Sequence, residues 1–113
     1  MGVMGHFKKI KDMGLTINLE GEKGNVYETI HDNEILSEIL PDYNDKSSYC
    51  LRFVDLYGDT TFNNLQMNEL IHELEAIRET ADSNEKRELI EQLLRLSSKC
   101  KEQVHLYLKF YGD

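Results

Sequence analysis

Val104-His105-Leu106-Tyr107-Leu108-Lys109-Phe110-Tyr111-Gly112-Asp113 is the stretch that decides the fold. Val104, Leu106, Leu108 and Phe110 alternate with His105, Tyr107, Lys109 and Tyr111, the period of two expected of a half-buried strand. A strand so apolar on one face is expected inside a sheet and not on its edge. That face needs a cover, because an antiparallel sheet hides its apolar side against another layer.

The cover is written just upstream. Met67, Leu70, Ile71, Leu74 and Ile77 fall on one side of a 3.6-residue period. Thr80 to Ser83 interrupts the pattern, and Asp82-Ser83-Asn84-Glu85 has the Asp-x-x-Glu spacing of a capping box. Leu89, Ile90, Leu93, Leu94, Leu96 and Cys100 then make a second stripe, with a mixed outer face that includes the favourably ordered pair Glu91 and Arg95. Two such helices across a short break predict an αα-hairpin.

Further upstream, Leu15, Ile17 and Leu19 alternate with polar residues, Gly21-Glu22-Lys23-Gly24 is a turn, and 25–30 is a weaker strand. Residues 15–30 therefore predict a hairpin. Asp32 is placed to cap a short helix carrying Ile35, Leu36, Ile39 and Leu40, which Pro41 ends. Residues 42–48 form a polar loop. The expectation is an α+β fold: an antiparallel or mixed sheet of four to five strands, the helical pair on one face, the C-terminal strand inside the sheet. Residues 1–14 are expected to be a loosely ordered segment and 15–113 one domain, as the length suggests.

Residues 49–65 predict a second hairpin. Tyr49, Leu51 and Phe53 alternate with Cys50, Arg52 and Val54, Asp55 to Asp59 is a turn, and Thr60 to Phe62 returns to strand composition. Its tip crowds Asp55, Tyr57 and Asp59, with Asn63 and Asn64 beyond. Paired carboxylates can bind Mg²⁺ or Ca²⁺, or divide acid and base roles. They also serve a tight turn, where Asp accepts backbone N–H groups and Gly58 permits positive φ. The EF-hand pattern is missing, and Tyr57 is larger than a turn requires. A contact with a partner is the remaining reading of these three residues.

Other motifs argue against familiar chemistry. His72-Glu73-Leu74-Glu75-Ala76 begins like HExxH, but Ala76 stands where the second zinc ligand belongs. There is no phosphate-cradling glycine loop and no GxSxG elbow. Cys50 and Cys100 are expected to be reduced, buried thiols, although a bridge is open if they lie close together. The N-terminus lacks an apolar leader and places His6 where a myristoylation signal needs Ser or Thr. With no apolar run long enough for a bilayer, a cytoplasmic location and no membrane contact are expected.

The charge is −8 and uneven: residues 20–45 hold eight acids against Lys23, a net −7. Such a surface repels phosphate backbones and attracts basic proteins, so no nucleic acid is expected as partner. Glu34, Glu38 and Asp42 represent it. The row Tyr107, Lys109, Tyr111, with Tyr49, suggests a sheet face for a partner or a second subunit. Together these features predict a small acidic protein-binding module without catalytic activity and without cofactor or metal. An inhibitor or immunity-type protein for a basic partner is one form of it; small acidic bacterial immunity proteins share this size and charge, an analogy that no motif supports. The alternatives are a small metal-dependent enzyme using the 55–59 carboxylates, and a homodimer joined through the sheet face or the helical pair.

Overall fold

The computed structural model describes residues 14–112. Strand β1 (Thr16–Gly21) and β2 (Val26–His31) form the expected hairpin, with Gly24 at φ 87 taking the left-handed conformation in the turn. A four-residue helix α1 (Leu36–Ile39) follows, then a 3₁₀ turn at Leu51–Phe53 and strand β3 (Asp59–Asn63). Helices α2 (Met67–Thr80) and α3 (Asn84–Glu102) lead to β4 (Leu106–Tyr111). All pairings are antiparallel, and the order is β2-β1-β4-β3. The fold is α+β, with β4 inside a sheet of four strands among the described residues.

Register follows the apolar alternation. Ile17 and Thr60 flank Phe110, and Leu19 and Phe62 flank Leu108. These positions put Ile17, Leu19, Phe62, Leu108 and Phe110 into one core with Leu70 and Leu74 of α2 and Ile90, Leu93 and Leu96 of α3. Phe62 and Phe110 meet edge to face with centroids 5.8 Å apart. The opposite sheet face carries Tyr107, Lys109 and Tyr111, each half-buried.

Local signals behaved as their chemistry dictates. The Asp32 carboxylate accepts from the Ile35 and Leu36 amides, both at 2.9 Å, and Leu40 is extended before Pro41. At α3 the capping residue is Ser83, one position later than the Asp82 spacing predicted: its hydroxyl accepts from Lys86 N at 3.1 Å, while Asp82 pairs with the Lys86 ammonium. Val104, expected within the last strand, is exposed and precedes it. The reading of 1–14 as loosely ordered lies, apart from Gly14, outside the described residues.

The hairpin expected over 49–65 does not form, because residues 51–53 make a 3₁₀ turn in place of its first strand. The cause is Glu73 of α2. Its carboxylate, 8 % exposed, accepts from the amides of Tyr49 (2.6 Å), Cys50 (2.9 Å) and Leu51 (3.0 Å) and from the Ser48 hydroxyl (2.7 Å). Successive amides of a strand point to opposite sides, so three in a row cannot serve one carboxylate from extended backbone. Gly58 also departs from expectation. It does not have positive φ; a Cβ there would lie 2.7 Å from the Asp55 carboxylate, which would have to move aside for a side chain.

Two stability predictions follow from unequal polar satisfaction. Glu73→Ala leaves three amides without their acceptor and should cost about 3–4 kcal/mol in urea unfolding, with Glu73→Gln, which keeps one acceptor oxygen, in between. Ser97 is fully buried and its hydroxyl has no partner among the described residues. Ser97→Ala should therefore raise stability by about 1 kcal/mol in the same measurement.

Candidate functional site

Between α1 and β3 the chain runs from Leu40 to Gly58 with a single 3₁₀ turn as its regular structure, a long connection for so small a fold. It is nevertheless fastened along its length. Glu73 holds residues 48–51. Asp45 accepts from the amide (3.0 Å) and hydroxyl (2.6 Å) of Ser47, which hold its carboxyl below the usual range. At the far end Gly112 N donates to Gly58 O at 2.8 Å, and a Cβ on Gly112 would lie 2.4 Å from Leu56 O.

This fastened loop shows aromatic side chains to solvent. Tyr43 is 66 % exposed, Tyr49 65 %, Phe53 45 % and Tyr57 67 %. Tyr43 and Phe53 pack edge to face at 5.9 Å. The Arg52 guanidinium lies 4.5 Å from the Phe53 ring centre and donates to Tyr43 O at 3.2 Å, so the two rings and the cation hold one another in place. Beside them a groove of ≈ 490 Å³ is lined by Leu40, Pro41, Asp42, Asp55, Leu56 and Tyr57, among others. The background is acidic: residues 32–59 contain seven acids against Lys46 and Arg52, a net −5.

Of the residues singled out from sequence, Asp42, Asp55 and Tyr57 meet in this groove. Asp55 is also committed to the turn, its carboxylate accepting from Tyr57 N at 2.9 Å. Asp59 begins β3 opposite Tyr111. Glu38 sits on α1, 3.7 Å from the Lys86 ammonium, and Glu34 holds a left-handed backbone, φ 66, that residues other than glycine seldom adopt. Among the described residues no cluster of three or more His, Cys, Asp or Glu is arranged to hold a metal ion.

Tyr107, Lys109 and Tyr111 belong to a second surface, the sheet face away from the helices. They gather around Glu20, which is only 4 % exposed. Tyr111 donates to Glu20 at 2.5 Å, Asn18 Nδ2 at 3.0 Å, and the Lys109 ammonium is 3.3 Å away. Burial pushes the Glu20 carboxyl up, but the Tyr111, Asn18 and Lys109 contacts outweigh it and hold the group below its ordinary value. The same bond, with burial and the charges of Glu20 and Asp59, pushes the Tyr111 phenol up to about 12.

Cys50 and Cys100 are buried and unbridged, and burial pushes both thiols up to about 11, against a nucleophilic role. Sequence reasoning missed Tyr43, taken as loop, and Phe53, taken as strand. It also missed Glu73, whose signal was a carboxylate between Leu70 and Ile77 on an apolar arc.

Compared with known proteins, the chain matches no family model, no curated protein and no solved structure. Among the described residues no helix is long and apolar enough to cross a membrane.

The Glu20–Tyr111 pair predicts a stability profile with two limbs. A depressed carboxyl contributes stability above its unfolded value near 4.5 that is lost as pH falls through the folded one. A raised phenol contributes stability below 10.0 that is lost as pH rises toward about 12. In Tyr111→Phe the alkaline limb from this pair should vanish and the acid limb should shrink, because Glu20 loses the strongest of the contacts that lower it, read from urea midpoints across both ranges.

Proposed function

We propose that this chain is a non-catalytic binding module whose 40–58 loop engages a basic protein, in the manner of an inhibitor or immunity-type protein. The observation that carries this reading is the coincidence of four solvent-exposed aromatic side chains, on a loop held by Glu73, with acidic surroundings that sum to −5 over residues 32–59. Exposed aromatics beside an arginine are the side chains from which strong interface contacts are made, and a fastened loop loses little entropy on docking. Lys or Arg side chains of the partner would stack on Tyr43 and Tyr57 while pairing with Asp42 and Asp55.

The test is capture from a lysate of the native host at low and high salt, followed by titration of the purified partner. A basic protein bound at low salt should weaken as salt rises. Its dissociation constant should rise at least roughly thirtyfold for Tyr43→Ala/Phe53→Ala/Tyr57→Ala, with the thermal midpoint falling only by the few degrees that the Tyr43–Phe53–Arg52 contact contributes. Equal binding by the triple variant, or binding insensitive to salt, overturns the reading.

A further inference from the structure

The order β2-β1-β4-β3 leaves two strands at the edges, and they are not equivalent. The β3 edge is partly covered by the loop before it, where Asp55 N donates to the Thr60 hydroxyl at 3.0 Å. The β2 edge has no such neighbour among the described residues. It also lacks most devices that keep a sheet edge from pairing, with no proline and no lysine in Val-Tyr-Glu-Thr-Ile-His. Its single charged side chain, Glu28, is turned under α3, where Arg95 (2.5 Å) and Lys99 neutralise it.

The free backbone groups can be assigned. Asp32 N donates to Leu15 O at 2.9 Å, so that pair is of the hydrogen-bonded kind. Alternation along the β1–β2 ladder then turns Ile30 and Glu28 inward, and Thr29 and His31 outward with N–H and C=O unpaired among the described residues. A bulge ends the regular edge: Leu19 faces Glu28 and Glu20 faces Val26, leaving Tyr27 extra. The available template is short and of defined register.

Helix α3 lies over this edge and supplies the choice of occupant. Arg95 and Lys99 sit above Glu28, while Glu85 and Glu88 line a small cavity of ≈ 160 Å³ with His31 and Asp32. The exposed flank of α3 thus runs from acidic to basic along β2. Lys86 and Arg87, in its first half, are turned elsewhere, Lys86 to Asp82 and Glu38, and Arg87 to the Ala81 carbonyl and Asn84. Glu91 is paired with Arg78. Glu102 follows Lys99 on the flank and would fall beyond the start of a second α3 laid antiparallel.

We propose that two copies of this chain pair antiparallel through their β2 edges, Thr29 of one against His31 of the other, around a two-fold axis near Ile30. The result is one eight-stranded sheet. The same axis lays the two α3 helices side by side in opposite directions, so Arg95 and Lys99 of each copy face Glu88 and Glu85 of the other. A strand edge alone would accept any strand; the acidic-to-basic flank is self-complementary only under this two-fold. The pairing is separate from the 40–58 loop and does not depend on what that loop binds.

Light scattering over a wide concentration range, with amide hydrogen exchange, tests it. The expected result is a mass approaching twice that of the chain, with Thr29 and His31 amides exchanging more slowly as concentration rises. Glu88→Arg should raise the dimer dissociation constant at least roughly tenfold, because it faces like charge. Adding Arg95→Glu should restore the affinity, although the contact to Glu28 is lost. A monomer throughout overturns the proposal. So does a dimer in which those two amides exchange freely, or one indifferent to Glu88→Arg.

Discussion

One carboxylate organises the irregular half of this molecule. Glu73 projects from α2 into a segment with neither strand partners nor a helix long enough to satisfy its own backbone, and takes up three consecutive amides and a hydroxyl. The arrangement resembles an anion in a concave nest of N–H groups, with the anion supplied by the protein itself. Burying a charge is costly unless its lone pairs are filled, and here the donors converge from one short stretch. Because Glu73 stands on a helix whose Leu70 and Leu74 share the core with the sheet, the position of the exposed rings is referred to that core and not to the loop's own stiffness.

The sheet divides the molecule into a dry side and a polar side. On the dry side β1, β3 and β4 contribute alternate residues to a core closed by α2 and α3. On the other side the same strands present tyrosine, lysine and asparagine, and one carboxylate, Glu20, is nearly as buried as the core. Its hydrogen bonds explain how a charge persists there: Tyr111, Asn18 and Lys109 replace the water it has lost.

The regular elements were legible because their periods are strong. Leu106, Leu108 and Phe110 could only suit a strand with one covered face, and the stripes from Leu70 to Ile77 and Leu89 to Cys100 could only suit helices. The turn at 51–53 was not legible, because what determines it is 22–25 residues away in sequence, and a local window over Tyr49 to Val54 sees only alternation. The candidate surface was half legible for the same reason. Asp42, Asp55 and Tyr57 stood out as polar or bulky residues at a turn, but exposure of Phe53 depends on Glu73 bending the chain. Tyr43 carried no local pattern at all. The gathering of Tyr107, Lys109 and Tyr111 on one face was readable from alternation, whereas their centre, Glu20, needed the β1–β4 register.

That register has a consequence for how the chain acquires its shape. Strand β1 lies between β2 and β4, and its pairing with β4 joins Thr16 to Tyr111 and Gly21 to Leu106. The hairpin of β1 and β2 and the pair of helices are local and can form early, but the strand that unites them is the last in sequence. During synthesis Ile17 and Leu19 must wait, uncovered by their neighbour, until residues 106–111 have left the ribosome. Closure of the sheet then joins two strands separated by most of the described residues. In that interval the nascent protein is most exposed to wrong strand partners and to chaperones.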